Sequence, residues 1–400
     1  MEKKTKTIYK LVEVAKSYKY LGTILTNTGN FKTNEVNLKR KGIRASFLIT
    51  KNIGTYSKAS TAIKIFEKII EPILMYNCEV SQAFVPKSWN LNKFKEKIWT
   101  QGEELNKVVI SFLRQLLGVH RKTTNIAILA ETGKYPIAIK IYTHIIKYWL
   151  RLSTSDNALL KAAYTTDHEN KQNGRQSWGK IVDFLLIIAA LQGCKRPANQ
   201  NEIRNFASNF KKQLMLVFEE WWRNQAVITG QNKLDYYYKY KRVFRYESYL
   251  DNIEKHNRIH LTRLRLSCHN LPIETQRYNK EKITREERKC DICNLNETGD
   301  EEHYLNRCNN DKIEDIRKTF FSNIRLCNPQ LDTFSDKNIV DYCLSMNDHS
   351  IQLPTSLFIQ NLLKTYRKQS NVPTLKNICT LYIKKKEKSM THLHINKITS

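Results

Sequence analysis

The chain has 400 residues, with 67 Lys or Arg against 38 Asp or Glu and a formal charge of +29. That length allows two or three domains with cores of their own, and so large a positive excess repels itself unless a polyanion neutralises it, which favours nucleic acid as a partner. A membrane surface is the competing polyanion, but no spanning helix is expected, because the longest apolar run, Phe184 to Leu191, falls far short of the ~20 residues it needs, and MEKKTKTIYK at the start lacks the apolar stretch of a secretory signal; no membrane partner is expected.

Strand-forming residues gather at the beginning, where Leu11, Val12, Val14, Tyr18, Tyr20, Leu21, Ile24 and Leu25 precede the turn-rich TNTGNF. They predict a hairpin within residues 7 to 26. Helical periodicity takes over from Asn34 to Ile53, with Val36, Leu38, Ile43, Phe47 and Leu48 mostly on one face and Lys39, Arg40, Lys41 and Arg44 largely elsewhere. A longer helix is predicted from Ser57 to Val80, bent at Pro72, and further amphipathic helices from Trp99 to Leu117 and from Ile137 to Leu152. The polar stretch 165–178, TTDHENKQNGRQSW, reads as a linker. Beyond it, Ile181 to Leu191 and Phe206 to Trp222 read as helices, and Phe210, Leu214, Phe218 and Trp221 have the spacing of a buried stripe. Between Leu234 and Leu250, Tyr236, Tyr237, Tyr238, Tyr240 and Tyr246 alternate with Lys239, Lys241, Arg242 and Arg245, a mixture that suits base stacking but suits packing better.

Between Lys255 and Lys289 there are ten Lys or Arg against four Glu, and the run leads into Cys290, Cys293, His303 and Cys308. The spacing C-x2-C-x9-H-x4-C is that of a tetrahedral zinc site: one tight turn presents two sulfurs and a second Cys-His pair closes the shell. With four protein ligands and no water position, the ion would be structural. A rigid zinc knuckle beside a cationic run is equipment for gripping single-stranded nucleic acid. The other cysteines (Cys78, Cys194, Cys268, Cys327, Cys343 and Cys379) are expected as free thiols, mostly buried, in a reducing compartment. His269 reads as a hydrogen-bonded structural histidine rather than as half of a Cys-His nucleophile; His256 and His260 share a helical spacing without an evident third ligand. The end of the chain, Asn361 to Ser400, carries nine Lys or Arg against one Glu, including Lys384, Lys385, Lys386 and Lys388. No Asp-Asp pair, P-loop, G-x-S-x-G or H-E-x-x-H motif occurs.

Three stretches in order, SYKYLGTILTNTGNF with the later EPILMYNCEV, FLRQLLGVHRKTTNIAILAETGKYPIAIKIYTHIIKYWLRL, and HLTRLRLSCHNLPIETQRY running into the four ligands, resemble the C-terminal half of the reverse transcriptase of LINE-type, jockey-like non-long-terminal-repeat retrotransposons. The resemblance implies a mainly α fold: a palm-end hairpin (1–33), a thumb-like helical domain (34–164), a helical connector (165–254), a basic zinc-knuckle region (255–312), and C-terminal helices with a basic tail (313–400). It implies that the family's paired-aspartate strand would precede residue 1. The expected function is to grip template RNA and target DNA during target-primed reverse transcription, in nucleus and cytoplasm, with an intact retrotransposon protein acting in trans. Candidate contacts are Tyr20, Lys39, Arg40, Arg263, Arg265, Arg277, Arg285, Arg288 and Lys289. The alternative is a decayed relic serving as a zinc-stabilised protein-interaction scaffold.

Overall fold

Leu21 and Gly22, with φ of 44° and 86°, form the two-residue turn of the hairpin between β1 (Ser17–Tyr20) and β2 (Thr23–Thr26), in which Tyr20 pairs with Thr23 and Ser17 with Thr26. Positive φ at both turn positions gives the twist that a tight hairpin needs. The computed structural model describes residues 15–29, 31–53, 58–82, 88–100, 102–175, 177–194, 197, 199–227, 233–279 and 283–370. Among them the protein is mainly helical, with this hairpin as its sheet. The earlier part of the expected hairpin, residues 7–14, lies outside the described residues.

The chain divides into two compact units, Met1–Lys255 and His256–Ser400. In the first, α1 (Lys32–Ile53) packs against α2 (Ala59–Leu74) and α5 (Glu103–Leu117). Gly42 lets α1 approach Leu74 so closely that a Cβ would collide with that side chain. Phe66 and Phe112 stack across the α2–α5 contact with centroids 4.4 Å apart.

The single helix expected over Ser57–Val80 is interrupted. Pro72 lies in the last turn of α2, the helix ends at Leu74, and Asn77 takes a left-handed φ of 55° before the short α3 (Cys78–Ser81). Tertiary bonds hold the break: the Tyr76 hydroxyl donates to the Leu21 carbonyl, and Asn77 Nδ2 donates to Thr23 Oγ1 at 3.1 Å. The helix expected from Trp99 to Leu117 is α5, which starts a few residues later, at Glu103 after left-handed Gly102; ahead of it the chain forms α4 (Leu91–Lys97) and a 3-10 turn at Ile98–Thr100.

Helices α6 (Asn125–Glu131) and α7 (Ile137–Ser153) fill the centre of this unit, and Tyr142 is buried with its hydroxyl on the Ile98 carbonyl at 2.6 Å. Between them, Lys134 is buried and meets Glu71 at 2.5 Å as well as Glu67, while Lys140 pairs with Glu71. Buried ions stay charged only when paired in this way.

The stretch expected as a linker, 165–178, is helical over its first part. Helix α8 (Ala158–Gln172) runs through most of it, and Asp167 accepts from the backbone of Trp178 (2.7 Å) and Gly179 (2.8 Å), bracing the start of α9 (Gly179–Ile188). Polar composition here makes a tight corner between helices. The long α10 (Gln200–Val227) lies on α7 and buries Phe210, Leu214, Phe218 and Trp222, while Trp221 sits at the rim against Trp99. The tyrosine run packs: Tyr236, Tyr237 and Tyr238 of α11 (Asp235–Tyr240) are buried, and Glu131 accepts from the Tyr237 hydroxyl at 3.1 Å and from that of Tyr249, in α12 (Tyr249–Asn252), at 2.7 Å.

The second unit opens with α13 (Lys255–Arg265) and α14 (Pro272–Thr275). Past the ligand loop come α15 (Asp311–Cys327), α16 (Asp336–Leu344) and α17 (Gln352–Gln369). Phe320 of α15 stacks on Phe358 of α17 at 4.0 Å. The basic residues from Lys384 to Lys388 lie outside the described residues. No described helix is long and apolar enough to cross a membrane.

Candidate metal centre

The loop that carries the first two sulfurs is closed by backbone. Cys290 N–H donates to the Glu297 carbonyl at 2.9 Å, Lys289 and Thr298 form an antiparallel bridge, and left-handed Asn296 (φ 51°) turns the chain between them. The second ligand pair lies on one π-helical turn, His303–Arg307, whose wide winding brings Cys308 N–H to the His303 carbonyl at 2.8 Å. In a π turn the residue five places on returns to the same side, so H-x4-C presents imidazole and thiol together.

The result is a cluster in which the ligating atoms of Cys290, Cys293, His303 and Cys308 all lie within 4.8 Å of one another. Cys293 Sγ is 3.4 Å from His303 Nε2. Cys290, His303 and Cys308 are buried and Cys293 is partly open. These four residues can hold a metal ion, and the surroundings fit one. His303 Nδ1 lies 3.0 Å from Glu297 Oε2, and Arg307 Nε donates to the same oxygen at 2.9 Å. A carboxylate on the far nitrogen fixes the tautomer that turns Nε2 toward the sulfurs, as outer partners of ligating histidines do. Asp300 Oδ1 accepts from His303 N–H at 2.9 Å, and Asn310 Nδ2, at the cap of α15, donates to the Ile292 carbonyl at 3.0 Å.

Electrostatics inside the cluster favour anionic sulfur. Hydrogen bonding from Cys308 outweighs burial and brings the Cys290 thiol down to about 3, with His303 and Tyr304 adding to the effect. The Cys308 thiol is pushed far up by its bond to Cys290 and by burial, and burial likewise raises Cys293. Burial opposes a charged His303, but Cys290 and Glu297 together raise it. One thiolate is thus shared by its neighbours' protons, the arrangement a cation would take over.

Sequence reasoning missed the outer partners. Glu297 sits in the polar NLNETGDEE, six residues before the histidine it orients, and an acidic residue so near a ligating histidine was the available signal. Asp291, inside the C-x2-C turn, lies 3.3 Å from the Tyr304 hydroxyl and accepts from Tyr366 of α17 at 3.1 Å. His269, placed beside Cys268 and Glu274 in sequence, is buried with Nε2 2.8 Å from Glu301 Oε1, a structural pair. His256 and His260 join no ligand cluster among the described residues. Of the thiols expected to be mostly buried, Cys78 and Cys343 are, Cys268 is intermediate, and Cys194 and Cys327 are exposed; Cys379 lies outside the described residues.

The candidate nucleic-acid contacts are scattered in environment. Tyr20 (57 % exposed), Arg40 and Lys289 are open to solvent. Lys39 is half-buried and paired with Glu104 at 2.6 Å; Arg277 pairs with Glu274 at 3.1 Å and Arg285 with Asp300 at 3.6 Å. Arg288 donates to the Ile273 and Ile283 carbonyls at 3.2 and 3.1 Å, bracing the knuckle from outside. Arg263 is partly exposed. Arg265 is a correction: it is buried at 0 % exposure, and its guanidinium donates to the Leu344 carbonyl, so it cannot reach a phosphate. Its place on α13 faces the helix packing, which a count of cations along the sequence does not register. Comparison with protein-family models, with curated proteins and with solved structures finds no match.

Proposed function

We propose that the protein is a zinc-containing, nucleic-acid-binding chain similar to the thumb and C-terminal region of a LINE-type reverse transcriptase, gripping RNA and DNA during target-primed reverse transcription. The observation that carries the metal half is the Cys290, Cys293, His303 and Cys308 cluster with Glu297 behind the imidazole. Three sulfurs and one nitrogen are a closed tetrahedral set for Zn2+, which leaves the ion a structural part. Its work is to fold the loop; binding and folding of such a site are one equilibrium.

The nucleic-acid half rests on the charge of +29 and on where cations stay free to meet phosphate. On α1, Arg40, Lys41 and Arg44 are exposed alongside Phe47 at 67 % and Leu48 at 60 %. On the knuckle, Lys289 is exposed next to the first ligand. Cations beside exposed rings and aliphatic groups suit a polyanion that also presents bases. The reading assigns binding, and not polymerisation, to these residues.

The rival reading, a zinc-stabilised scaffold for protein partners, draws on the basic side chains turned inward: Arg258 and Arg265 are buried, and Arg277 and Arg288 hold protein groups. Filter binding to single-stranded RNA over a salt series separates the two. Affinity falling steeply with salt, and falling less steeply after Arg40→Glu with Arg44→Glu, supports nucleic-acid binding, because each phosphate contact contributes about 0.7 to the logarithmic salt slope. No binding at low salt overturns it and leaves the scaffold.

A further inference from the structure

We propose that Cys78, Glu79 and His144 form a second divalent-metal site, of the zinc class and with one coordination position open to solvent. The site is independent of the Cys290 cluster and of the nucleic-acid reading. Its ligating atoms, one sulfur, one carboxylate oxygen and one imidazole nitrogen, lie within 4.8 Å of one another. Cys78 Sγ and Glu79 Oε2 are 3.8 Å apart. Tetrahedral ligands at ~2.0–2.3 Å from an ion stand roughly 3.3–3.8 Å from each other, so that pair is already at ligand spacing, and His144, within 4.8 Å of both, would close on the ion by turning its ring.

The backbone delivers these groups for stated reasons. Left-handed Asn77, held by its bond to Thr23 Oγ1 at 3.1 Å, starts α3 so that Cys78 is buried at 1 % exposure and Glu79 follows it outward. Trp178 Nε1 donates to the Glu79 carbonyl at 2.9 Å and pins α3 in place, with the Trp178 ring edge-on to Tyr148 of α7 at 5.8 Å. His144, one helical turn before Tyr148, is at the exposed mouth. Sulfur on the buried side and imidazole on the open side give an ion a protein floor and a solvent entrance.

Charge selects the class of ion. A thiolate and a carboxylate neutralise a dication with neutral imidazole as third ligand, so the filled site carries no net charge. This matters because the surroundings are already cationic: Lys140, Lys147 and Arg151 lie on the same helix as His144, and Lys140 is occupied by Glu71. A mixed S, N, O donor set suits Zn2+ or Co2+ and disfavours Mg2+ or Ca2+, which want oxygen alone. Three protein ligands are the number at which zinc retains a water or an exchangeable ligand.

Cobalt titration of the full-length, metal-stripped protein tests the proposal, read by visible absorption and by bound equivalents after desalting. Wild type is expected to take up two equivalents, one with the spectrum of three thiolates and one with that of a single thiolate. Cys308→Ser should lose the first and keep the second, whereas Cys78→Ser should do the reverse. Because Cys78 is buried and its replacement also disturbs packing, His144→Gln, at the exposed ligand, is the second probe; it should weaken the single-thiolate site at least tenfold with an unchanged far-ultraviolet spectrum. A wild-type protein that stops at one equivalent, or a His144→Gln variant that keeps both at full affinity, overturns the site.

Discussion

Glu297 reaches His303 from behind: its Oε2 stands 3.0 Å from Nδ1, while Nε2 on the other side of the ring faces the sulfur of Cys293 at 3.4 Å. Replacing Glu297 by Ala leaves all four ligands in place and frees the imidazole to rotate. Metal affinity is expected to fall by about 10- to 100-fold, the usual loss for an outer partner of a ligating histidine. Competition with a chromophoric chelator measures it, and an unchanged affinity would show that the ring is fixed by packing alone.

The same cluster predicts how metal binding depends on pH. Cys290 is ionised well below neutrality, at about 3, whereas Cys293 and Cys308 are raised and hold protons at pH 7. Raised thiols must lose their protons before they can ligate, and a raised His303 is blocked while protonated. Affinity should therefore increase with pH between 6 and 8, by roughly tenfold for each proton released per pH unit. Calorimetry in buffers of different ionisation enthalpy counts those protons; release of none would contradict the ligand set.

Removing the ion, or one ligand through Cys293→Ser, should loosen the loop from Arg285 to Lys312 while α1, α2, α5 and α7 stay protected. Hydrogen exchange read segment by segment gives the answer. Equal loosening of Phe66 and Phe112 in the first unit would mean that the ion organises far more than its loop.

Arg265 and Arg40 should separate stability from binding. Arg265→Ala removes a buried guanidinium and strands the Leu344 carbonyl, for a loss of about 2–4 kcal/mol in the second unit. Its salt slope for RNA should match wild type. Arg40→Glu, on an exposed face, should leave the melting temperature within a degree or two and reduce the slope. If Arg265 and Arg40 exchange these behaviours, the surface assignment is wrong.

The stacked pair in the first core gives a stability benchmark. Phe66→Ala is expected to cost about 3–5 kcal/mol, since it vacates a site at 1 % exposure against Phe112. Urea unfolding followed by tryptophan fluorescence would report it.

Local chemistry was legible and long-range chemistry was not. The four candidate ligands are close in sequence, so their spacing alone pointed to the cluster that could hold an ion, and periodicity placed α1 and α7 to within two residues and the middle of the longer α10. Where distant residues intervene, the reading failed. Nothing in Tyr76 or Asn77 says that Leu21 and Thr23 will break the helix there, and nothing in TTDHENKQ says that Asp167 will tie two helices into a corner. Arg265 shows the same limit for charge: a cation's sign is local, but whether it faces solvent depends on Leu344, 79 positions on. Cys78, Glu79 and His144 are likewise invisible as a set until α3 lies on α7.

Asp291 lies between two sulfur ligands and is grasped by Tyr366, 75 positions further along. During synthesis on a ribosome that grasp must wait until α17 has emerged, so the ligand loop leaves the ribosome with its last brace missing. A metal held by that loop would be gripped more firmly once α17 is in place, and a nascent chain arrested before Tyr366 should exchange it faster than the finished protein.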